Sequence, residues 1–110
     1  MAADPLDAIQ KTYLMLDQQF DDIYAKCTSD AQRQELRALL ASARDAYFAA
    51  AAKRREDNNA TVQKFLDELT TTNDQISAQL STLKDVVAFL NLCTQAVKLA
   101  GALASLAAVA

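Results

Sequence analysis

The fold of this chain depends on residues 86–110, VVAFLNLCTQAVKLAGALASLAAVA, which carry a single charged side chain, Lys98. Residues 1–85 hold the other ten Lys and Arg and all fourteen Asp and Glu, so the net charge is −4 there and +1 in residues 86–110. A chain that is otherwise densely charged must cover such a segment with its own helices, another copy, a partner protein or lipid. What covers the segment therefore decides the fold and the function that the sequence predicts.

The whole chain has very few residues that break helices. Its only proline is Pro5 and its only glycine is Gly101. No segment alternates β-branched and polar residues as a half-buried strand does. A length of 110 residues is that of one domain. We therefore predict a single all-α domain over residues 1–110.

The first helix is predicted over residues 4–27. Asp4 has the side chain of an N-cap, and Pro5 stands at the first helical position, where its missing N–H costs nothing. Apolar positions then recur at alternating spacings of three and four, which is a heptad seam: Leu6, Ile9, Tyr13, Leu16, Phe20, Ile23 and Cys27. Residues 29–32, SDAQ, have the form of a capping box that begins the next helix. So short a connection predicts that the first two helices form an antiparallel hairpin.

The second helix is predicted over residues 30–57, because the aspartate and asparagines of residues 57–59 favour a turn. Beyond the turn the seam continues without a slip through Val62, Leu66, Leu69, Asn73, Ile76, Leu80, Leu83, Val87, Leu90, Thr94, Val97, Gly101 and Ala104. This seam predicts one long third helix over residues 60–108. The threonines of residues 70–74 favour a kink instead, in a four-helix arrangement whose last helix folds back. Asn73 either sets the register of the seam or lies in that kink.

Helix lengths place the apolar segment beyond the reach of the hairpin. At 1.5 Å per residue, the first two helices would each be about 36–42 Å long. A third helix starting at residue 60 runs back along them and reaches the far end of the hairpin at about residue 87. The remainder would extend about 30 Å further. We therefore expect a hairpin plus a long third helix, an elongated and coiled-coil-like bundle whose C-terminal segment, residues 86–110, is uncovered.

The apolar segment has a polar stripe on an otherwise apolar cylinder. Its polar side chains fall within an arc of about 100° on a helical wheel. The stripe consists of Asn91, Thr94, Gln95, Lys98 and Ser105. The side chains expected to face a partner or a membrane are Val86, Val87, Phe89, Leu90, Val97, Leu99, Leu103 and Leu106. A single membrane span is marginal, because Lys98 costs about 2.5–3.5 kcal/mol against about 3–6 kcal/mol from the apolar side chains.

Composition argues against catalysis, metal binding and nucleic acid as a partner. The chain has no histidine, which removes the usual general base and metal ligand. Cys27 and Cys93 lack the spacing of a metal site and are expected to be reduced, buried thiols. A net charge of −3 disfavours binding to nucleic acid. We predict no catalytic residues, no metal, no cofactor and no small-molecule substrate.

The sequence therefore predicts a non-enzymatic helical interaction protein, whose apolar C-terminal helix mediates oligomerisation or docking with another helical protein. The alternative is a membrane-active or pore-forming small protein or subunit that inserts this helix, since the plan of charged coiled helices followed by an apolar stretch is broadly similar to that of helical pore-forming toxins. The N-terminus shows no basic region followed by an apolar stretch, so we expect a cytoplasmic protein as synthesised, with membrane association only under the alternative.

Overall fold

The computed structural model describes residues 5–52 and 60–106, and all regular structure within these ranges is α-helical. The helices are α1 (Pro5–Gln18), α2 (Phe20–Lys26), α3 (Asp30–Ala51), α4 (Ala60–Leu80) and α5 (Val86–Leu106). The all-α prediction is confirmed. The second helix, predicted over residues 30–57, ends at Ala51 with Ala52 as its C-cap. The predicted N-cap at Asp4, the turn at residues 57–59 and the last residues of the predicted third helix lie outside the described residues.

The predicted first helix is interrupted at a single residue, Gln19. Its φ of −100° and ψ of 8° separate α1 from α2. The i→i−4 hydrogen bonds nevertheless continue across it, because the Gln19 N–H donates to the Met15 carbonyl at 3.1 Å and the Ile23 N–H donates to the Gln19 carbonyl at 3.0 Å. Both Leu16 and Ile23, on either side of the interruption, are buried. The two helices therefore form one arm, interrupted at Gln19, that keeps Leu16 and Ile23 of the predicted seam in the core.

The connection between α2 and α3 forms as the sequence predicts. The Ser29 hydroxyl oxygen accepts the Gln32 N–H at 3.2 Å, which confirms Ser29 as the N-cap of α3. The Gln32 side chain reaches one residue further back than in the usual box and accepts the Thr28 N–H at 2.7 Å. Arg37 donates to the Tyr24 hydroxyl oxygen at 2.7 Å and lies over the Tyr24 ring, which fixes α2 against α3.

The prediction of one long third helix is wrong, because α4 ends at Leu80 and α5 begins at Val86. A helix over residues 60–108 would be about 70 Å long, whereas the longest dimension of the molecule is 43 Å. The alternative four-helix arrangement predicts correctly that the last helix folds back. It places the break at residues 70–74, whereas the break lies between Leu80 and Val86. Residues 70–74 lie inside α4, where the Thr72 hydroxyl donates to the Glu68 carbonyl at 2.8 Å.

The turn between α4 and α5 uses a leucine where a glycine is usual. The Leu83 N–H donates to the Gln79 carbonyl at 2.7 Å and closes the end of α4. Leu83 has a φ of 45°, the left-handed conformation that glycine or asparagine normally supplies after a helix. Its side chain is only 8% exposed, so burial offsets the strain. Asp85 then caps α5 by accepting the Ala88 N–H at 3.1 Å.

Helix α5 packs against α3, α4 and α1, so the chain's own helices cover much of its surface. Its fully buried positions are spaced by four and three residues: Phe89, Cys93, Ala96, Ala100 and Leu103. This is a different seam from the one that continues α4, on which Val97 and Gly101 are half-buried and Val87 is exposed. Because α5 is a separate helix, its rotation is set by its own packing and not by the register of α4. Small Cys and Ala side chains let it approach its neighbours closely.

A buried polar contact joins α1 to α4. Thr12 and Asn73 are both at most 1% exposed. The Thr12 hydroxyl donates to Asn73 Oδ1 at 2.7 Å, and Asn73 Nδ2 donates to the Ala8 carbonyl at 3.1 Å. Asn73 therefore occupies a core seam position in regular helix, and the interpretation of a solvated kink at this residue is wrong.

We expect Thr12→Val to lower the free energy of unfolding by about 1–3 kcal/mol, because it leaves the buried Asn73 Oδ1 without a donor. Asn73→Leu should cost less, since the Thr12 hydroxyl can donate to the Ala8 carbonyl, 3.2 Å away. The double variant should recover part of the loss, because it removes both polar partners. Urea denaturation of the three variants measures this coupling, and strictly additive losses would contradict it.

Candidate functional surface around helix α5

The structure divides the predicted contact residues of α5 between its core and its surface. Phe89, Leu90, Leu99 and Leu103 are buried by the chain's own helices. Val86 and Val97 are half-buried, Val87 is 57% exposed, and the side chain of Leu106 lies outside the described residues. The expectation of an uncovered segment is therefore wrong for these four buried residues, because α5 folds back along the bundle instead of extending beyond it.

The polar stripe faces outward, since Asn91, Gln95, Lys98 and Ser105 are all exposed. Thr94 is half-buried, with its hydroxyl 2.9 Å from the Leu90 carbonyl and 3.4 Å from the Glu35 carboxylate. Lys98 makes no ion pair within the described part of the chain. The stripe therefore gives α5 a surface that water can solvate while its opposite side fills the core.

A groove of about 540 Å³ runs between α4 and α5. It is lined by Gln75, Ala78 and Gln79 from α4 and by Ala88, Asn91, Leu92 and Gln95 from α5. None of these side chains ionises, in a chain in which 23% of residues are charged. The sequence predicted Asn91 and Gln95 as surface residues. It missed the α4 members, because a continuous third helix would have kept them far from α5.

The two cysteines are buried and protonated. Burial raises the pKa of Cys93 to about 12, and the nearby carboxylate of Glu35 adds to the increase. Burial also raises the pKa of Cys27, where Arg33 opposes the shift and Glu35 supports it. The Cys27 thiol is 3.4 Å from the Ile23 carbonyl, to which it can donate. These shifts in pKa disfavour the thiolate, which is the nucleophilic form of cysteine.

The described residues bring together no cluster of the kind that holds a metal ion. No three Asp, Glu or Cys side chains among them come close enough to hold a metal ion. The ion pairs within residues 5–52 and 60–106 are Lys11 with Asp74 at 3.7 Å and Arg33 with Asp30 at 2.9 Å. Both Asp30 and Asp74 are well exposed, so the pairs contribute little to stability. The groove between α4 and α5 offers amide and aliphatic groups, which are suited to binding.

No protein-family model, curated protein or solved structure matches this chain. The fold defines the chain as an all-α helical bundle with an uncharged groove on one side. Within residues 5–52 and 60–106, one helix, over Val86–Ser105, is long and apolar enough to cross a membrane, with a mean hydropathy of 1.6. The central helix of a soluble bundle meets the same criterion, and 39% of this segment is buried against the rest of the chain.

Proposed function

We propose that this chain is a non-enzymatic self-association module, in which the groove between α4 and α5 packs against the same groove of a second copy. The observation that carries the proposal is the chemistry of the groove. Its lining combines amide side chains with alanine and leucine and contains no ionisable group. Interfaces are depleted of charge at their centre, and this groove is such a surface on an otherwise charged protein.

The amide side chains favour a second copy as the occupant. In a two-fold symmetric interface each residue near the axis meets its own counterpart. Gln75, Gln79, Asn91 and Gln95 each carry both a donor and an acceptor, so an amide can pair with the same amide of another copy. A carboxylate cannot, because it only accepts and repels its like. The neighbouring groove between α3 and α5 contains Asp45 and is therefore less suited to self-pairing.

An exposed apolar side chain extends this surface along α5. Val87 is 57% exposed and lies one helical turn before Asn91, on the same side of the helix. Leu92 lines the groove and is half-buried. Covering these side chains would remove apolar area from water, which favours association. The contact between copies would therefore have an apolar part beside its amide pairs.

Gln79→Glu is expected to weaken self-association by about tenfold or more, because it places a negative charge on each copy where the two grooves meet. Gln34→Glu is the matched control, since Gln34 is exposed on α3 and lies outside the groove. Sedimentation velocity over a range of concentrations gives the dissociation constant of both variants. Equal dissociation constants for Gln79→Glu and Gln34→Glu would contradict the use of this groove.

The length and hydropathy of α5 favour a membrane-active function as a second candidate. Flotation with lipid vesicles, together with the mass of the protein in solution, distinguishes the two functions. Insertion would require α5 to leave the core, since Phe89 and Leu103 are fully buried. A self-association module should form dimers in solution and should not float with vesicles of neutral and anionic phospholipid. A monomer that floats with vesicles and releases an entrapped dye would replace the proposal with the membrane-active one.

A further inference from the structure

We propose that two copies of this chain exchange α5, with residues 81–85 opening so that α4 and α5 become one continuous helix. The α5 of each copy would then pack against α1, α3 and α4 of the other. This inference rests on the proposed self-association and names the helix that is exchanged. Three features in and next to the connection between α4 and α5 support this inference.

The first feature is the residue that stands at the reversal in the connection. Residues 81–85 read STLKD and contain no glycine, proline or asparagine. The reversal depends on Leu83, whose φ of 45° is unfavourable for a residue with a side chain. In a continuous helix Leu83 would take the ordinary right-handed conformation and the strain would disappear. Short connections under strain are the ones that favour exchange of an element between copies.

The second feature is the seam that crosses the connection. Leu80, Leu83, Val87 and Leu90 follow at spacings of three, four and three, in register with the seam of α4. A continuous helix over α4 and α5 would therefore present one apolar stripe across the junction. A connection that served only as a turn would not need to keep this register. The sequence is thus compatible with both the folded-back and the extended form.

The third feature is Val87, which the folded-back form leaves 57% exposed. Among the described residues only Phe48 is a comparably exposed large apolar side chain. In the exchanged dimer the two junctions would lie near the two-fold axis. Leu83 and Val87 of one copy would then meet those of the other, in a contact that the monomer does not have.

Exchange would preserve the core, so the connection sets the balance between the two forms. The buried side chains of α5, such as Phe89 and Leu103, would meet the same neighbours, supplied by the other copy. The folded-back form keeps the N-cap contact from the Ala88 N–H to Asp85, and the extended form loses it. The extended form relaxes the backbone of Leu83 but loses the burial of its side chain in the folded-back turn, which the contact around Leu83 and Val87 between the two junctions would replace.

Val86→Pro should favour the folded-back form by about a hundredfold per chain, because proline is accepted at the first position of α5 but not inside a continuous helix. Val86→Ala is the matched control, since it removes the same side chain without breaking a helix. Asp85→Ala should act in the opposite direction, because it removes the cap of α5 and adds a good helix former. A circular dichroism melt of Val86→Pro that resembles that of Val86→Ala shows that the proline variant is folded.

Cross-linking shows directly which chain supplies α5. Thr94 on α5 and Glu35 on α3 lie side by side, with Oγ1 and Oε1 3.4 Å apart. A short bismaleimide joining cysteines at these positions (Glu35→Cys, Thr94→Cys) will link one chain to itself in the folded-back form and two chains in the exchanged form. The wild-type chain controls for the native thiols, which are buried.

We expect the isolated dimer to give cross-links between chains, and the Val86→Pro version of the cysteine pair to give cross-links within chains only. A dimer whose cross-links all lie within chains would overturn the exchange and leave the proposed pairing of grooves standing. A chain that stays monomeric up to millimolar concentration would overturn both. Equal cross-linking between chains in Val86→Pro and Val86→Ala would also overturn the exchange.

Discussion

Phe89→Ala is expected to lower the free energy of unfolding by about 3–5 kcal/mol, the usual cost of deleting a buried aromatic side chain. Phe89 is 0% exposed and is among the largest fully buried side chains of the described residues. It stands in the first turn of α5, within the core that α5 shares with the other helices. Since a small domain is stable by about 5–15 kcal/mol, the variant should lose a large part of its stability. The urea midpoint measures the loss.

Phe48→Ala makes the same chemical change on the surface and is the matched control. Phe48 is 56% exposed on α3, so its loss should cost less than about 1 kcal/mol. If α5 extended beyond the bundle without cover, Phe89 would be as exposed as Phe48 and the two variants would unfold at similar urea concentrations. A difference below about 1 kcal/mol between them would therefore contradict the folded-back position of α5.

The parts of the fold that depend on neighbouring residues could be predicted from the sequence. The all-α class follows from the scarcity of glycine and proline, and the connection to α3 follows from the capping residues Ser29 and Gln32. The break after Leu80 could not be predicted in this way. Its reversal depends on Leu83 in a left-handed conformation, which is offset by burial against residues distant in sequence. Asp85 was the one local signal, because its side chain caps α5.

The rotation of α5 was missed for a related reason. A seam that continues in register across a turn does not show that the helix continues, because a helix that folds back takes its rotation from new neighbours. In α5 the buried seam includes Cys93, Ala96 and Ala100, whose small side chains carry a weaker hydrophobic signal than the valines and leucines of the seam that continues α4. Of the groove, only Asn91 and Gln95 could be predicted from the sequence, as members of the polar stripe of α5; Ala88, Leu92 and the α4 side required the fold.

Raising the pH from 9 to 12 is expected to remove about 3 kcal/mol of stability through Cys93 alone, out of about 4 kcal/mol for the complete titration at about 1.4 kcal/mol per unit of pKa shift. The pKa of Cys93 is raised from its usual 9.0 to about 12, chiefly by burial and also by the charge of Glu35. Between these values the unfolded chain releases the thiol proton while the folded chain retains it. The contribution is therefore complete below about pH 9 and decreases as the pH rises toward 12.

Cys93→Ala separates this effect from every other pH-dependent contribution to stability, because the two proteins share all the others. The substitution removes a small buried side chain and lowers stability by a nearly constant amount at every pH. What should change is the slope of unfolding free energy against pH, which we expect to be steeper in the wild type between pH 9 and 12. Urea denaturation at several pH values measures both slopes. Parallel slopes would mean that the Cys93 thiol ionises as easily in the folded chain as in the unfolded one, which a position at the centre of the α5 core does not allow.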